Sequence, residues 1–475
     1  MYKGLLLLMS CAVAQAFSDH WTRLSSPRFE VWTNTGERQG RDVLQRFEQI
    51  RHVFETRSGH GSLMPMPVRV FVFRSASDFR RYQVSDNSAG YYQSAQDRDY
   101  IAMQTAGQDT YRIVYHEYTH LLLRHAGYNL PVWFSEGIAE LFSTAHVGKD
   151  VVRVGDPVAA HVRMLREQRM LDMSALTSIT HDSPHYNERG KKGLFYAQSW
   201  ALVHMLNFAP EYRPGLEDFI AMIRTNQDAV PAFQQVFRKS PETVLQDLKA
   251  YLQDARFESV QFPATKLETA KIPSQPVNDI ETQLALADLL LATGKIADAR
   301  TLYAGLEARY PNSSSVLAAL GRSAFHAEEF TQARHYFETA IASGGAEAEV
   351  FYDYAMVLRQ LNEPDSLVVH NLQRAVTVDE AFFDARQFLG HLFLSQARYA
   401  EAIVHLKRAT ELQPTRASVW ENLALAYHRN GAGELALKAA HAASASAKGP
   451  EEAVRLDALI KLIEFESCDK KTGDR

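Results

Sequence analysis

The sequence His-Glu-Tyr-Thr-His occupies residues 116–120 and decides how the first half of this chain folds. Because an α-helix has 3.6 residues per turn, His116 and His120 project from one face of a helix, about one turn apart. Two neutral imidazoles in this arrangement can hold one Zn²⁺ ion. Glu117 then lies where a carboxylate can act as a general base, so the pattern predicts a zinc-dependent hydrolytic site.

A second polar pattern, Trp-Phe-Ser-Glu-Gly-Ile-Ala-Glu, follows at residues 133–140. Glu136 lies 16 residues beyond the second histidine and supplies a third ligand. Ser135 or Asn129 is the expected start of a helix there, and on that helix Glu136 and Glu140 share a face. Three protein ligands leave the fourth zinc position open, which is typical of a catalytic rather than a structural site.

The helix that carries the two histidines is predicted to run from about Asp109 to Arg124, with Gly127 as its stop signal. It is apolar nearly all round, and such helices are buried. Two histidines and a glutamate in a buried helix are unfavourable without partners, and a metal ion is the simplest common partner. Structural core histidines are the alternative, and the downstream glutamate argues against it.

Together with Tyr-Ala-Gln-Ser at residues 196–199, these two patterns resemble the gluzincin group of zinc metallopeptidases. The closest resemblance is to the peptidase-MA-like domains of exported bacterial proteins, over about Phe29 to Leu252. The resemblance implies an α+β zincin-like domain with a zinc cofactor. In that domain the ligands would be His116, His120 and Glu136.

The same resemblance assigns further roles around the metal. It makes Glu117 the catalytic base and Glu140 the carboxylate that orients a ligand histidine through its other ring nitrogen. Gluzincins often stabilise the oxyanion with a downstream Tyr or His, and Tyr196 is the candidate here, with His185 and Tyr186 in reserve. A plain core tyrosine in a packed helix is the alternative reading of Tyr196.

Two details bear on the substrate. The predicted strand Tyr100–Thr105 could bind an extended peptide by edge pairing, or it could be an ordinary sheet strand. Zinc aminopeptidases of this group usually carry a Gly-x-Met-Glu-Asn type motif before the zinc helix, and none occurs between Asp97 and Tyr115. We therefore expect an endopeptidase. His125, His181 and His204 have no assigned partner and are expected to be structural or surface residues.

The first residues predict export. Lys3, an apolar stretch and Ala14-Gln15-Ala16 form a signal peptide pattern with cleavage after Ala16, which favours a periplasmic protein. Lipid attachment at Cys11 or secretion are the alternatives. No other segment is apolar over the ~20 residues that a membrane-spanning helix needs. The formal net charge of -5 without a long basic run argues against nucleic acid as a partner.

The second half of the chain repeats itself. Small or apolar residues recur at steps of 34, 35, 34 and 34 residues, at Ala299, Ala333, Val368, Ala402 and Ala436. A second series lies seven residues further on, at Ala340, Ala375, Ala409 and Ala443. This period resembles the tetratricopeptide repeat, with about five units. The resemblance implies an all-α solenoid with a concave surface for a protein partner.

The expected organisation has five parts: a signal peptide (1–16), a peptidase domain (17–257), a linker (258–280), the repeats (281–465) and a disordered tail (466–475). The predicted function is zinc-dependent hydrolysis of protein or peptide substrates in the cell envelope. A quality-control protease of envelope proteins is a narrower version of it. The alternative is a non-catalytic envelope scaffold or assembly factor that acts through its repeats.

Overall fold

The structure, a computed structural model, describes residues 20–58, 67–85, 88–95, 98–105, 108–126, 130–187, 189–224, 229–254, 256–268, 271–447 and 450–473. The predicted signal peptide, Cys11, Gly127 and Asn129 lie outside this part of the chain. The N-terminal region mixes strands and helices and the C-terminal region is all-helical, which confirms the coarse division predicted from the sequence. Among the described residues, no helix has the length and hydrophobicity required to span a membrane.

The described strands of the N-terminal region form two sheets. They are β1 (Trp21–Ser25), β2 (Phe29–Thr33), β3 (Val68–Phe73), β4 (Gly90–Ser94), β5 (Asp99–Gln104), β6 (His146–Val147), β7 (Val151–Val154), β8 (Val260–Pro263) and β9 (Ser274–Val277). The larger sheet has the order β4-β5-β3-β2-β1-β9, and the smaller one β6-β7-β8. Strands β2, β3 and β5 run parallel, whereas β1, β9 and β4 pair antiparallel with their neighbours.

Helices cover the sheet and build the layer that holds the site. They are α1 (Glu37–Ser58), α2 (Ala76–Arg80), α3 (Gln108–His125), α4 (Val132–Ser143), α5 (Ala159–Glu167), α6 (Met173–Thr177), α7 (Pro184–Asn187), α8 (Arg189–Phe208), α9 (Leu216–Ile223), α10 (Ala229–Phe237) and α11 (Pro241–Gln253). Helix α4 begins after Pro131, three residues before the position expected from Ser135. Ser135 is therefore inside the helix, where its side chain contacts the site.

The six-stranded sheet is buried on both faces. Side chains alternate along a strand, so Val68, Val70 and Val72 of β3 pack in the core with α1 and α3. Phe71 and Phe73 point to the opposite face, where they join an aromatic layer. That layer also contains Trp21, Trp32, Tyr91 and Tyr100, and the first repeat helices pack against it.

Within residues 271–447, ten helices form five antiparallel pairs, and one long helix follows. They are α12 (Asp279–Ala292), α13 (Ile296–Arg309), α14 (Ser314–His326), α15 (Phe330–Ala342), α16 (Ala348–Gln360), α17 (Asp365–Val378), α18 (Phe383–Ser395), α19 (Tyr399–Leu412), α20 (Ala417–Arg429), α21 (Gly433–Ala445) and α22 (Pro450–Gly473). Small residues bring paired helices together: a Cβ at Gly321 would lie 2.9 Å from the Phe337 ring. Each pair turns through one residue with positive φ, at Gly294, Glu328, Asn362, Ala397 and Gly431.

Two sequence-based expectations about local structure are wrong. Residues 258–280, predicted as an interdomain linker, instead contribute to both sheets, since β8 pairs with β7 and β9 adds a sixth strand beside β1. The tail is helical as far as Gly473, because α22 is anchored by buried Leu456, Ile460 and Ile463 and no Gly or Pro interrupts residues 467–472. Of the two interpretations of Tyr100–Thr105, the ordinary sheet strand is confirmed, because β5 lies between β4 and β3.

The interface between the sheet and the first repeat contains a partly buried group of ion pairs. The Arg69 guanidinium on β3 lies 2.7 Å from Glu30 of β2 and 3.6 Å from Asp288 of α12. Asp288 in turn accepts a hydrogen bond of 2.8 Å from the hydroxyl of Tyr303 on α13. The first repeat is therefore joined to the N-terminal region by polar as well as aromatic contacts.

Candidate metal centre

Three side chains from two helices converge on one point. His116 and His120 of α3 place their Nε2 atoms 3.3 Å apart. Glu136 of α4 places Oε2 at 3.2 Å from the first and 3.3 Å from the second. We call these three atoms the tripod. The side chain of Glu136 is 3% exposed and that of His120 is 23% exposed, so solvent reaches the tripod from the His120 side.

The dimensions of the tripod fit a zinc ion. A tetrahedral site with metal–ligand bonds of about 2.0–2.1 Å has ligand–ligand edges of about 3.3–3.4 Å. The observed edges of 3.2, 3.3 and 3.3 Å match this value. Among the described His, Cys, Asp and Glu side chains, these three form a group whose ligand atoms lie close enough together to hold one metal ion.

The hydrogen bonding of the tripod also fits a cation. The Glu136 Oε2 atom is buried and has no hydrogen-bond partner of good geometry among the described residues. A buried carboxylate oxygen without a partner is unfavourable, and so are two imidazole nitrogens that face each other. A cation at the centre of the tripod would satisfy all three atoms at once.

Two carboxylates next to the tripod histidines, Glu136 and Glu140, stay ionised. Burial opposes charging, but the imidazoles still hold the pKa of Glu136 and that of Glu140 well below the usual glutamate range. Burial likewise disfavours the His116 imidazolium, yet Glu136 and Glu140 raise the pKa of His116 to about 10. The site therefore attracts positive charge, and a metal ion that binds there must displace a proton from His116.

Glu140 lies behind the first histidine. Its Oε1 is 3.3 Å from Nδ1 of His116, the nitrogen that faces away from the tripod. Its Oε2 is 3.1 Å from Nε2 of His161 on α5 and 3.2 Å from Nη2 of Arg112 on α3. Glu140 therefore lies within ion-pair distance of His116 on the side away from the tripod, although Nδ1 of His116 makes no hydrogen bond of good geometry among the described residues.

Ser135 orients the other histidine. Its Oγ lies 3.2 Å from Nδ1 of His120, so each ligand histidine has an outer partner on α4. The arrangement follows from the sequence spacing, because Ser135, Glu136 and Glu140 occupy one stretch of helix that faces α3. One short helix thus provides the third ligand and both outer partners.

Two tyrosines flank the tripod. The Tyr186 hydroxyl on α7 donates a hydrogen bond of 3.1 Å to Oε1 of Glu136. The ring of Tyr196 on α8 stacks on the His116 ring, with centroids 5.8 Å apart at an interplanar angle of 30°. Burial and then the Glu136 charge raise the pKa of Tyr186 to about 12 and that of Tyr196 far above its usual value. Both phenols therefore keep their protons at neutral pH.

Glu117 is close enough to both tyrosines to influence them electrostatically. It follows His116 on α3 and is partly exposed. Its charge contributes to the raised pKa of both Tyr186 and Tyr196, which places its carboxylate on their side of the site. His185, the other reserve candidate, has an Nδ1 atom without a hydrogen-bond partner in the described residues, and no described contact joins it to the tripod.

The three histidines without an assigned partner in the sequence, His125, His181 and His204, have structural partners. His125 Nε2 lies 2.9 Å from Asp99 Oδ2, and the His181 ring packs edge-on against Tyr186. His204 is fully buried: Nε2 donates to the Gly155 carbonyl at 2.9 Å, and Nδ1 lies 2.6 Å from the Tyr251 hydroxyl. These positions are away from the tripod ligands, apart from the contact of His181 with Tyr186.

The sequence did not indicate two residues of the site, Arg112 and His161. Arg112 stands one turn before His116 on the same face of α3, so helical spacing alone could have suggested it. His161 is 21 residues beyond Glu140 on a separate helix, and no local pattern connects the two. Its contribution depends on how α5 packs, which is a property of the tertiary structure.

Comparisons with known families divide the chain in the same way. A family model described as "Protein of unknown function (DUF1570)" matches residues 111–232, which include most of α3 and all of α4 and α8. Models described as tetratricopeptide repeats match residues 284–344, 318–366 and 390–431. The C-terminal region is a tetratricopeptide-repeat array. No curated protein matches the sequence.

Several solved structures are similar to part of the chain. YrrB, described as a TPR protein with an unusual peptide-binding site, is 23% identical over 37% of this chain and 90% of its own, with a TM-score of 0.33. MamA is 20% identical over 35% and 90%, with a TM-score of 0.31. PilF of Pseudomonas aeruginosa is 18% identical over 39% and 85%, with a TM-score of 0.34.

Proposed function

We propose that this chain is a zinc-dependent peptidase of the gluzincin type that hydrolyses peptide bonds of protein or peptide substrates in the cell envelope. The observation that carries the proposal is the tripod of His116, His120 and Glu136, with edges of 3.2–3.3 Å. Glu117 beside it is the group that a hydrolytic site needs and a purely structural zinc site does not. The localisation rests on the sequence pattern of residues 1–16.

The residues around the tripod have separable roles in this reaction. When bound, zinc supplies Lewis acidity, which polarises a peptide carbonyl and makes a water molecule more acidic. The Glu117 carboxylate accepts the proton from the attacking water and passes it to the leaving amine. The Tyr196 hydroxyl donates a hydrogen bond to the carbonyl oxygen as negative charge develops there, because its raised pKa keeps it protonated.

An extended substrate can reach the site along the sheet. Strand β4 is the outer strand of the larger sheet, next to β5, and Gly90 on it packs against Val114 of α3. A peptide that adds to β4 by main-chain pairing would lie alongside the helix that carries Glu117. This geometry favours endopeptidase activity, because edge pairing holds a chain along its length and requires no free amino terminus.

Zinc content and peptide cleavage, measured on the wild type and on Glu117→Gln, test the proposal. Removal of the base while the ligands remain should leave one bound zinc and lower kcat by about 10²–10⁴-fold. Casein and a peptide library serve as substrates, and circular dichroism confirms that the variant is folded. A well-folded wild type that binds no zinc, or a Glu117→Gln variant that cleaves as fast as the wild type, would refute it.

A scaffold that acts through its repeats is the second candidate. It is favoured by the continuous aromatic layer that joins the sheet to α12–α14, which would let the N-terminal region serve as a base for the array. A scaffold should keep its cellular function in Glu117→Gln and lose it when the later repeats are removed. A peptidase should instead lose its cellular function in Glu117→Gln.

A further inference from the structure

We propose that Tyr186 is a positioning residue that fixes the third metal ligand. It donates its hydroxyl hydrogen to one oxygen of Glu136, and this contact leaves the other oxygen aimed at the two histidines. The inference rests on the metal site of the proposed function. It requires metal binding but not peptidase activity.

The two oxygens of Glu136 have different partners. Oε1 accepts the hydrogen bond from Tyr186 at 3.1 Å, and Oε2 lies 3.2 and 3.3 Å from the Nε2 atoms of His116 and His120. The terminal torsion of a glutamate is broad, so the carboxylate of an unrestrained side chain can rotate. A donor on one oxygen limits that rotation and selects a single oxygen for the metal.

The Tyr186 ring is itself held by other rings. Tyr196 stacks on it at 6.2 Å and 27°, Phe195 meets it edge-on at 6.1 Å, and His181 meets it edge-on at 5.0 Å. Such contacts restrict how the ring can turn and hence where the hydroxyl points. The three neighbouring rings thus fix the position of the Tyr186 hydroxyl, and this hydroxyl in turn fixes the orientation of the Glu136 carboxylate.

This arrangement gives the two tyrosines different roles. The Tyr186 hydroxyl is directed at Glu136. The Tyr196 hydroxyl hydrogen-bonds to Tyr186, and it would exchange this partner for a substrate oxygen. Loss of the Tyr186 hydroxyl should therefore weaken metal binding, whereas loss of the Tyr196 hydroxyl should leave metal binding intact.

The test measures the zinc dissociation constant of the purified full chain by competition with a chromophoric chelator. Tyr186→Phe keeps the ring and removes only the hydroxyl, so it should bind zinc about 10–100-fold more weakly than the wild type. Tyr212→Phe is the matched control. It also removes a hydroxyl that donates to a carboxylate, that of Asp247 at a distance of 2.7 Å, but this pair is not part of the tripod. Its zinc affinity should equal that of the wild type.

The visible spectrum of the cobalt(II) form is a second readout, since it reports the geometry around the metal. We expect Tyr186→Phe to change this spectrum and Tyr212→Phe to leave it unchanged. A folded Tyr186→Phe with the affinity and the spectrum of the wild type would overturn the positioning role and leave the metal site standing. A wild type that binds neither metal would overturn the metal site and this inference together.

Discussion

A Cβ atom at Gly137 would lie 2.5 Å from the carbonyl oxygen of Ser199. Gly137 directly follows the ligand Glu136 on α4, and Ser199 is three residues beyond Tyr196 on α8. The Val203 side chain, also on α8, would be in contact with the same Cβ. The absence of a side chain at residue 137 therefore sets the distance between the helix of the third ligand and the helix of the proposed oxyanion donor.

Replacing Gly137 by alanine should destabilise the protein and weaken zinc binding. The new methyl group meets a backbone oxygen and a stiff β-branched side chain, and overpacking of this kind costs about 1–3 kcal/mol. Urea denaturation and chelator competition measure the two effects. Gly305→Ala is the control, because that helical glycine has nothing within 4 Å of the added Cβ. It should be neutral or slightly stabilising.

Tyr196→Phe should separate catalysis from metal binding. Loss of one oxyanion donor lowers kcat by about 10²–10³-fold, whereas the zinc ligands and their outer partners remain. We expect KM and zinc affinity to change little, and steady-state kinetics with zinc titration would measure all three quantities. If kcat is unchanged, Tyr196 only packs against His116 and another group must stabilise the oxyanion.

His204 should make the protein less stable in mild acid. Burial lowers the pKa of His204 from 6.5 to about 4, so the folded protein keeps it neutral while the unfolded chain takes up a proton. His204 therefore lowers the free energy of unfolding. This effect is absent well above pH 6.5 and grows as the pH falls from 6.5 towards 4. At pH 5 it amounts to roughly 2 kcal/mol.

Urea midpoints at pH 7.5 and pH 5 for the wild type and His204→Gln measure this contribution. Other titrating groups, including the metal ligands, are the same in both proteins, so the difference between the two pH dependences isolates His204. The wild type should lose more stability than the variant on going to pH 5. Parallel losses would show that the buried imidazole is protonated without unfolding.

A fragment of residues 20–257 should be insoluble. It corresponds to the domain predicted from the sequence, yet it lacks β9 and exposes the aromatic layer with Trp32 and Phe71. An apolar patch of this kind leads to association. A fragment of residues 20–344 keeps the first two repeats and should be soluble and bind zinc. Light scattering measures the association of the two fragments, and the cooperativity of thermal unfolding shows whether each is folded. A monomeric, folded 20–257 fragment would contradict the expectation.

Helical spacing predicted the parts of the site that are local in sequence. His116 and His120 lie on one helix, and Glu136 and Glu140 lie four residues apart on the next, so periodicity alone placed each pair on one face. The structure brings the two pairs together.

The remaining features depend on contacts between distant segments. His161 and Tyr186 reach the site from separate helices, and no sequence period relates them to it. Strand β9 is four residues long and contains Pro276, so it carries no alternating pattern and exists through its pairing with β1. The compact apolar run Val68–Phe73 indicates a buried strand. It could not show that repeat helices cover the second face.

The attachment of the first repeat to the sheet also limits how the length of the array can change. In a repeat array each unit contacts its neighbours, so an additional 34-residue unit between the fourth and fifth pairs would find matching surfaces on both sides. A unit inserted before α12 would separate Asp288 from Arg69 and uncover the aromatic layer. The array can therefore be lengthened or shortened beyond its anchored unit, whereas the unit that holds Asp288 has to stay.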